Sequence, residues 1–156
     1  MNIRTSAKAL IIEDGHILLV KMKDERGIFY IMPGGGQNHG ETIPEALQRE
    51  CQEELGTAVE IGPLFFVREY IGKNHENAQL HTEIHQVEFI FSCRAISDPG
   101  SPIHPDQGQI GAEWLPLHEL ASYRLYPKQI VPILSAVLTS RQEDDEAIPA
   151  YIGDMN

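Results

Sequence analysis

The sequence predicts an α+β fold, and three observations lead there. Strand-like composition crowds the first thirty residues, one strongly signalled helix follows a glycine-rich turn, and strand-like composition then returns before a last amphipathic helix. The 156 residues suit a single domain over 1–142, followed by an acidic C-terminal tail at 143–156 that is either loose or docked through Tyr151-Ile152.

Each element has its own local signal. Lys8 to Glu13 and His16 to Lys23 are rich in Ile, Leu and Val, and Asp14-Gly15 between them is a two-residue hairpin signal. Asp24 to Gly27 is polar and turn-like. Phe29 to Met32 is a short β-prone run, stopped by Pro33-Gly34-Gly35-Gly36. Pro44 to Leu55 is the clearest helix, with a proline suited to the first turn and Gly56 as its C-terminal stop. Val59 to Ile71 and Ile84 to Ala95 read as strands, with Gly72 to Leu80 a polar loop between them. Three prolines and two glycines make Ser97 to Gln109 a second loop. Ala112 to Leu115 is one more short strand, and Leu117 to Leu120 a helical turn. Lys128 to Arg141 carries apolar residues at helical spacing, with Pro132 tolerable in its first turn.

Composition excludes several classes of function. Twelve basic against 23 acidic residues give a net charge of -11, so duplex nucleic acid is repelled on average. A small anionic ligand can still be held if a cation bridges it. Two cysteines, Cys51 and Cys93, are too few for a disulfide scaffold and point to a reduced, cytoplasmic setting. The early apolar run Ala9 to Ile12 is cut off by Glu13-Asp14, and nothing approaches the ~20 apolar residues that span a bilayer.

The chemistry lies in Gly35 to Thr57, GGQNHGETIPEALQRECQEELGT. At roughly 100° per residue, Leu47, Cys51 and Leu55 form an apolar stripe, and Glu50, Glu53 and Glu54 form a second stripe beside it. Glu50 and Glu54 are a like-charge i,i+4 pair, costing the helix about 0.2–0.5 kcal/mol and more if desolvated. An isolated E-x-x-E-E is more often a solvated acidic face. A hard divalent cation bound through carboxylates and substrate phosphates also resolves the conflict.

The surrounding residues turn the balance toward the cation. Gly35, Glu41, Arg49, Glu50, Glu53, Glu54 and Gly56 satisfy G-x5-E-x7-R-E-U-x-E-E-x-G-U, with U a bulky apolar residue. This resembles the signature of the Nudix (MutT-like) hydrolase family at every fixed position. Cys51 and Thr57 depart mildly at the two U positions, which affects packing rather than chemistry. Glu113-Trp114-Leu115-Pro116-Leu117 to Leu120 is similar to a late segment many members carry, and the resemblance covers residues 3 to 140.

The resemblance implies a mixed β-sheet sandwiched between α-helices, with the signature a loop-helix-loop at one end. It implies Mg²⁺-dependent hydrolysis of a diphosphate linkage in a nucleotide-like compound, with Mn²⁺ able to substitute. Glu50, Glu53 and Glu54 would ligate metal, with the Gly35 carbonyl a further candidate. Glu53 or another signature glutamate would activate water, with Glu88, Asp106 and Glu113 as candidates outside the signature. Glu41 and Arg49 would support the catalytic set, Arg49 by holding a glutamate. A Nudix-fold sensor of ADP-ribose or a nucleotide, without turnover, is the alternative, although such modules commonly lose a signature glutamate and none is missing here.

Other residues carry weaker signals. His81 and His85 lie about 13 Å apart if on one strand, too far for one ion. His39 reads as surface loop. Lys8, Lys21, Lys23 and Arg26 are candidates for phosphate contact or for a solvated strand edge. Phe65, Phe66, Tyr70 and Trp114 are candidates for stacking on a base or for core. The loops Gly72–Leu80 and Ile96–Gln109 should set substrate choice, and a homodimer is left open.

Overall fold

The computed structural model describes residues 2–76, 78–140 and 150–154. The chain runs β1 (Arg4–Glu13), β2 (His16–Asp24), β3 (Gly27–Ile31), β4 (Gly34–Gly36), α1 (Ile43–Leu55), β5 (Val59–Ile71), α2 (Ala78–His81), β6 (His85–Ala95), β7 (Gln109–Pro116), β8 (Leu125–Tyr126), α3 (Ile130–Ser140) and β9 (Tyr151–Asp154). The expected mixed sheet is present, in the order β8-β3-β2-β1-β6-β5-β9, with β4 added to β1 and β7 to β2. Parallel pairs join β1 to β6, β3 to β8 and β5 to β9. The other pairs are antiparallel.

Asp14-Gly15 turns the first hairpin as its composition predicts. Both residues take positive φ, 48° and 74°, which suits the twist of a two-residue connection.

Alternation along the strands builds two cores, one on each face of the sheet. Ala7, Ala9, Ile11, Leu18, Val20 and Met22 pack with Leu47, Cys51 and Leu55 of α1. Leu10, Ile17, Leu19, Tyr30, Phe66 and Ile90 pack with Ile130 and Leu134 of α3. Helices therefore cover both faces, and each fully buried Leu contributes about 1.5–3 kcal/mol. Phe66 and Leu18 are wholly buried, whereas Phe65 and Trp114 are partly buried against opposite cores.

Two loop expectations are corrected. Gly34–Gly36 is a strand, because its backbone pairs with Ser6, Ala7 and Lys8 of β1. A side chain at Gly34, with φ 120°, would collide with the Ala7 carbonyl, so only glycine lets the backbones approach. The polar segment after β5 is also not unstructured: Gly72–Asn74 is a 3₁₀ turn and Ala78–His81 a single helical turn. At the other end of the chain, Tyr151–Asp154 docks as a strand beside β5. The acidic run 143–146 lies outside the described residues.

Candidate active site

Helix α1 starts at a full capping box. Thr42 Oγ1 accepts from the Glu45 amide at 3.3 Å, and Glu45 Oε2 accepts from the Thr42 amide at 2.7 Å. Gly56 ends it with φ 64°. The loop after β6 closes the same end: amides of Gly100 and Ile103 donate to the carbonyls of Leu55 (2.8 Å) and Glu53 (2.9 Å), and Gln109 Nε2 donates to the Glu54 carbonyl at 2.8 Å. Carbonyls that a helix terminus leaves unsatisfied are thereby paired, and the orientation of the last turn is set.

In the last turn, Glu54 directs its carboxylate toward β4. Glu54 is buried, 1% exposed, and its Oε2 accepts from the Gly34 amide at 2.7 Å. Its other oxygen, Oε1, is buried with no hydrogen-bond partner. Burial pushes its carboxyl up to about 7, against the opposing pull of the Lys8 ammonium and the Gly34 amide. Lys8 itself donates to the Gly34 carbonyl.

Arg49 is the hub of the signature. Its Nε and Nη2 hold Glu41 at 2.6 and 3.0 Å, Nη1 reaches Glu50 at 2.7 Å and Glu53 at 3.6 Å, and Nη2 also donates to the Gly36 carbonyl at 2.8 Å. Those hydrogen bonds from Arg49, reinforced by the Asn38 amide, hold the Glu41 carboxyl down at about 2. The Glu50 carboxyl lies where a Cβ at Gly35 would come within 2.5–2.7 Å of it. Six of the seven signature positions are thus linked around the junction of α1 and β4, while Gly56 caps the helix against the loop after β6. Among the described residues, no three His, Cys, Asp or Glu side chains converge as a ready-made metal cluster.

A cleft of about 540 Å³ lies beside this junction, and Lys8 belongs to both. Phe29, Ile31, Met32, Tyr70 and Tyr126 supply apolar and aromatic walls. Arg124 lies 4.9 Å from the Phe29 ring centre and 5.6 Å from that of Tyr126, and forks onto Asp24 at 2.8 and 2.6 Å. Deeper, Arg68 pairs with Glu88 at 2.5–2.6 Å, and Gln86 Nε2 donates to Glu88 Oε1 at 2.7 Å.

The weaker sequence candidates separate clearly. Lys8, Arg26, Tyr70 and His81 line the cleft, whereas Lys21 pairs with Glu113 at 2.8 Å outside it. Lys23, Phe65, Phe66 and Trp114 are not in its lining. His81 meets the Tyr70 hydroxyl at 2.7 Å while His85 meets Glu69 at 2.8 Å, so the two imidazoles serve different partners. Of the outside carboxylates, Glu88 is committed to Arg68 and Gln86, Glu113 to Lys21 and Tyr30, and Asp106 is exposed on the loop capping α1. Arg124, Arg68 and Gln86 went unnoticed in the sequence, since nothing local marks a basic or amide residue as facing a cleft built from distant strands.

Comparison with known proteins gives the same answer from three sides. The NUDIX domain model matches residues 3–135. Nucleoside triphosphatase NudI of Escherichia coli O139:H28 is 40% identical over 99 residues, covering 60% of this chain and 70% of that protein. Among solved structures, a NUDIX hydrolase from Nitrosomonas europaea superposes with a TM-score of 0.72 at 20% identity, covering 89% of this chain and 90% of that one. The MutT NUDIX hydrolase from Burkholderia pseudomallei does so with a TM-score of 0.67 at 26% identity, over 84% of this chain and 96% of its own. With the complete signature in the sequence and the domain match spanning residues 3–135, this chain belongs to the Nudix hydrolase family, whose divalent-metal-dependent enzymes hydrolyse pyrophosphate bonds in nucleotide compounds.

Proposed function

We propose that this chain is a Mg²⁺-dependent hydrolase of a nucleoside triphosphate or a nucleoside diphosphate-linked compound, acting by water attack at phosphorus. The observation that carries the reading is Glu54: a buried carboxylate with one oxygen on the Gly34 amide and the other unpartnered, next to Glu50 and the Gly35 backbone. Such an oxygen is costly to bury unless something binds it. Glu50, Glu53, Glu54 and the Gly35 carbonyl offer oxygen alone, which suits Mg²⁺, with Mn²⁺ as a substitute. When bound, the cation supplies neutralisation of the diphosphate and acidifies a water.

The chain's own residues do the rest. Glu53 is the acceptor for the water proton, since its contact in the signature is the long one to Arg49 at 3.6 Å. Arg49 holds Glu41 and Glu50 in place. Lys8, at the border of cleft and signature, offers its ammonium to the phosphates, and the aromatic wall with Arg124 receives the base. The triphosphate is favoured by the identity to NudI, described as a nucleoside triphosphatase. The two buried cysteines, Cys51 and Cys93, are both free thiols, which supports a reducing cytoplasmic setting. A sensing module without turnover is the less favoured reading, because the relatives are hydrolases.

The test is a phosphate-release assay over a nucleotide panel after EDTA treatment, with products identified to locate the cut. Mg²⁺ or Mn²⁺ should restore turnover. Full activity in a verified metal-free sample, or binding without turnover on the whole panel, would overturn the reading.

A further inference from the structure

We propose that Asp154 is a positioning residue for substrate: from the C-terminal strand β9 it clamps the turn after β5, and through that turn it sets the Tyr70–His81 wall of the cleft. This rests on the reading of that cleft as the nucleotide site.

Strand β9 lies beyond residue 135, where the match to the shared domain ends. It adds to the sheet through Val67↔Tyr151 and Glu69↔Asp154, with the Val67 amide donating to the Ala150 carbonyl at 2.7 Å. Tyr151 also donates from its hydroxyl to Glu69 at 2.7 Å. At the end of this short strand, the Asp154 carboxylate collects three contacts from one turn. The Ile71 amide donates to Oδ1 at 2.9 Å, Asn74 Nδ2 donates to Oδ2 at 2.7 Å, and His75 Nε2 meets Oδ1 at 2.6 Å. A four-residue edge strand has few ladder bonds of its own, so these contacts decide where the turn sits.

The turn is mechanically joined to the cleft. The His75 ring stacks on Tyr70, centres 5.0 Å apart and planes 10° apart, and the Tyr70 hydroxyl meets His81 Nδ1 at 2.7 Å. Tyr70 and His81 both line the cleft. At Gly72 a side chain would collide with the His81 carbonyl, and the Gly72 amide donates to the Ile84 carbonyl at 2.9 Å. The turn and the cleft wall therefore pack backbone to backbone, and displacing one displaces the other. Beyond the turn, Glu76 pairs with Lys128 at 2.7 Å and with the Tyr126 hydroxyl, tying it to the opposite wall. None of these residues belongs to the signature, so the clamp acts on substrate fit and not on the chemical step.

The experiment compares the full chain with Asp154→Ala, Asp154→Asn, Asn74→Ala and the Asn74→Ala/Asp154→Ala double variant. It measures kcat and KM on the best nucleotide together with amide hydrogen exchange over residues 71–76. Asp154→Ala should raise KM by about fivefold or more while kcat stays within about twofold and the metal requirement is unchanged. Exchange over the turn should quicken. Asp154→Asn, which keeps an acceptor for the Ile71 amide, should recover most of the KM. Asn74→Ala should shift KM the same way, and the double variant no further than Asp154→Ala alone. Unchanged exchange in Asp154→Ala would overturn the clamp. Faster exchange with an unchanged KM would overturn the proposal through its other half, showing that this wall does not meet substrate. If Asp154→Ala does not fold, Asn74→Ala decides by the same two measurements. Failure of the nucleotide reading itself is distinguishable, because the unmodified protein would then turn over nothing on the panel.

Discussion

Glu54, in the last turn of α1, and Gly34, at the start of β4, are joined by a 2.7 Å hydrogen bond from the glycine amide to the carboxylate. That bond satisfies a backbone donor at a strand end and fixes the angle at which the acidic helix meets the glycine strand. It leaves Oε1 buried and unpartnered, so the contact holds the site together while one oxygen stays uncompensated.

Glu54 should therefore contribute most to the stability of the metal-free protein at low pH. Burial raises the Glu54 carboxyl from 4.5 in the unfolded reference to about 7 in the fold. The unfolded chain releases its proton first, so the stabilisation is complete below the unfolded value and is lost as pH rises through about 7. The effect is on the order of 3 kcal/mol. Denaturant unfolding in EDTA should show it as a slope across that window, and Glu54→Gln should flatten the slope. The same slope in both proteins would place its origin elsewhere.

Neighbouring glycines should respond differently to the same substitution. Gly34→Ala places a methyl group on the Ala7 carbonyl at φ 120° and should cost roughly 3 kcal/mol or more. Gly35→Ala instead meets the Glu50 carboxyl at 2.5–2.7 Å, the movable end of a side chain. It should fold with little change in Tm but need about tenfold more Mg²⁺ for half-maximal activity. Melting curves and a Mg²⁺ titration separate the two cases.

Arg49→Lys tests whether the signature needs a fork or only a positive charge. One ammonium cannot reproduce the contacts to both oxygens of Glu41, to Glu50 and to the Gly36 carbonyl. Activity should fall by about tenfold to a hundredfold, with stability lowered by about 1 kcal/mol. Activity kept within about twofold would reduce Arg49 to a counter-charge.

Glu53→Gln should fold and lose about a hundredfold or more in turnover. Its metal-free stability should rise by a few tenths of a kcal/mol, roughly the repulsion that leaves with one charge. Mg²⁺ should raise the Tm of the unmodified protein more than that of the variant, because a cation stabilises only as far as it binds the folded state. Equal shifts together with full activity would make Glu53 a solvated face residue.

What was legible in the sequence was local or strictly spaced. The Asp14-Gly15 hairpin, the Pro44-to-Gly56 bounds of the helix and the seven-position signature depend on residues within a few turns of one another, where backbone preference and helical periodicity act directly. What only the tertiary structure decided involves partners far apart in the chain. Gly34–Gly36 reads locally as a turn, yet becomes a strand because β1 offers its backbone at a distance only glycine permits. Glu50, Glu53 and Glu54 look alike in the sequence. Tertiary packing buries Glu54 on the Gly34 amide, holds Glu50 on Arg49 and leaves Glu53 the more exposed. The cleft draws Lys8, Arg68 and Arg124 from three strand regions, and Asp154 reaches Ile71 across 83 residues. Such contacts follow from sheet order and from which face each strand buries, and a local pattern of residue types contains neither.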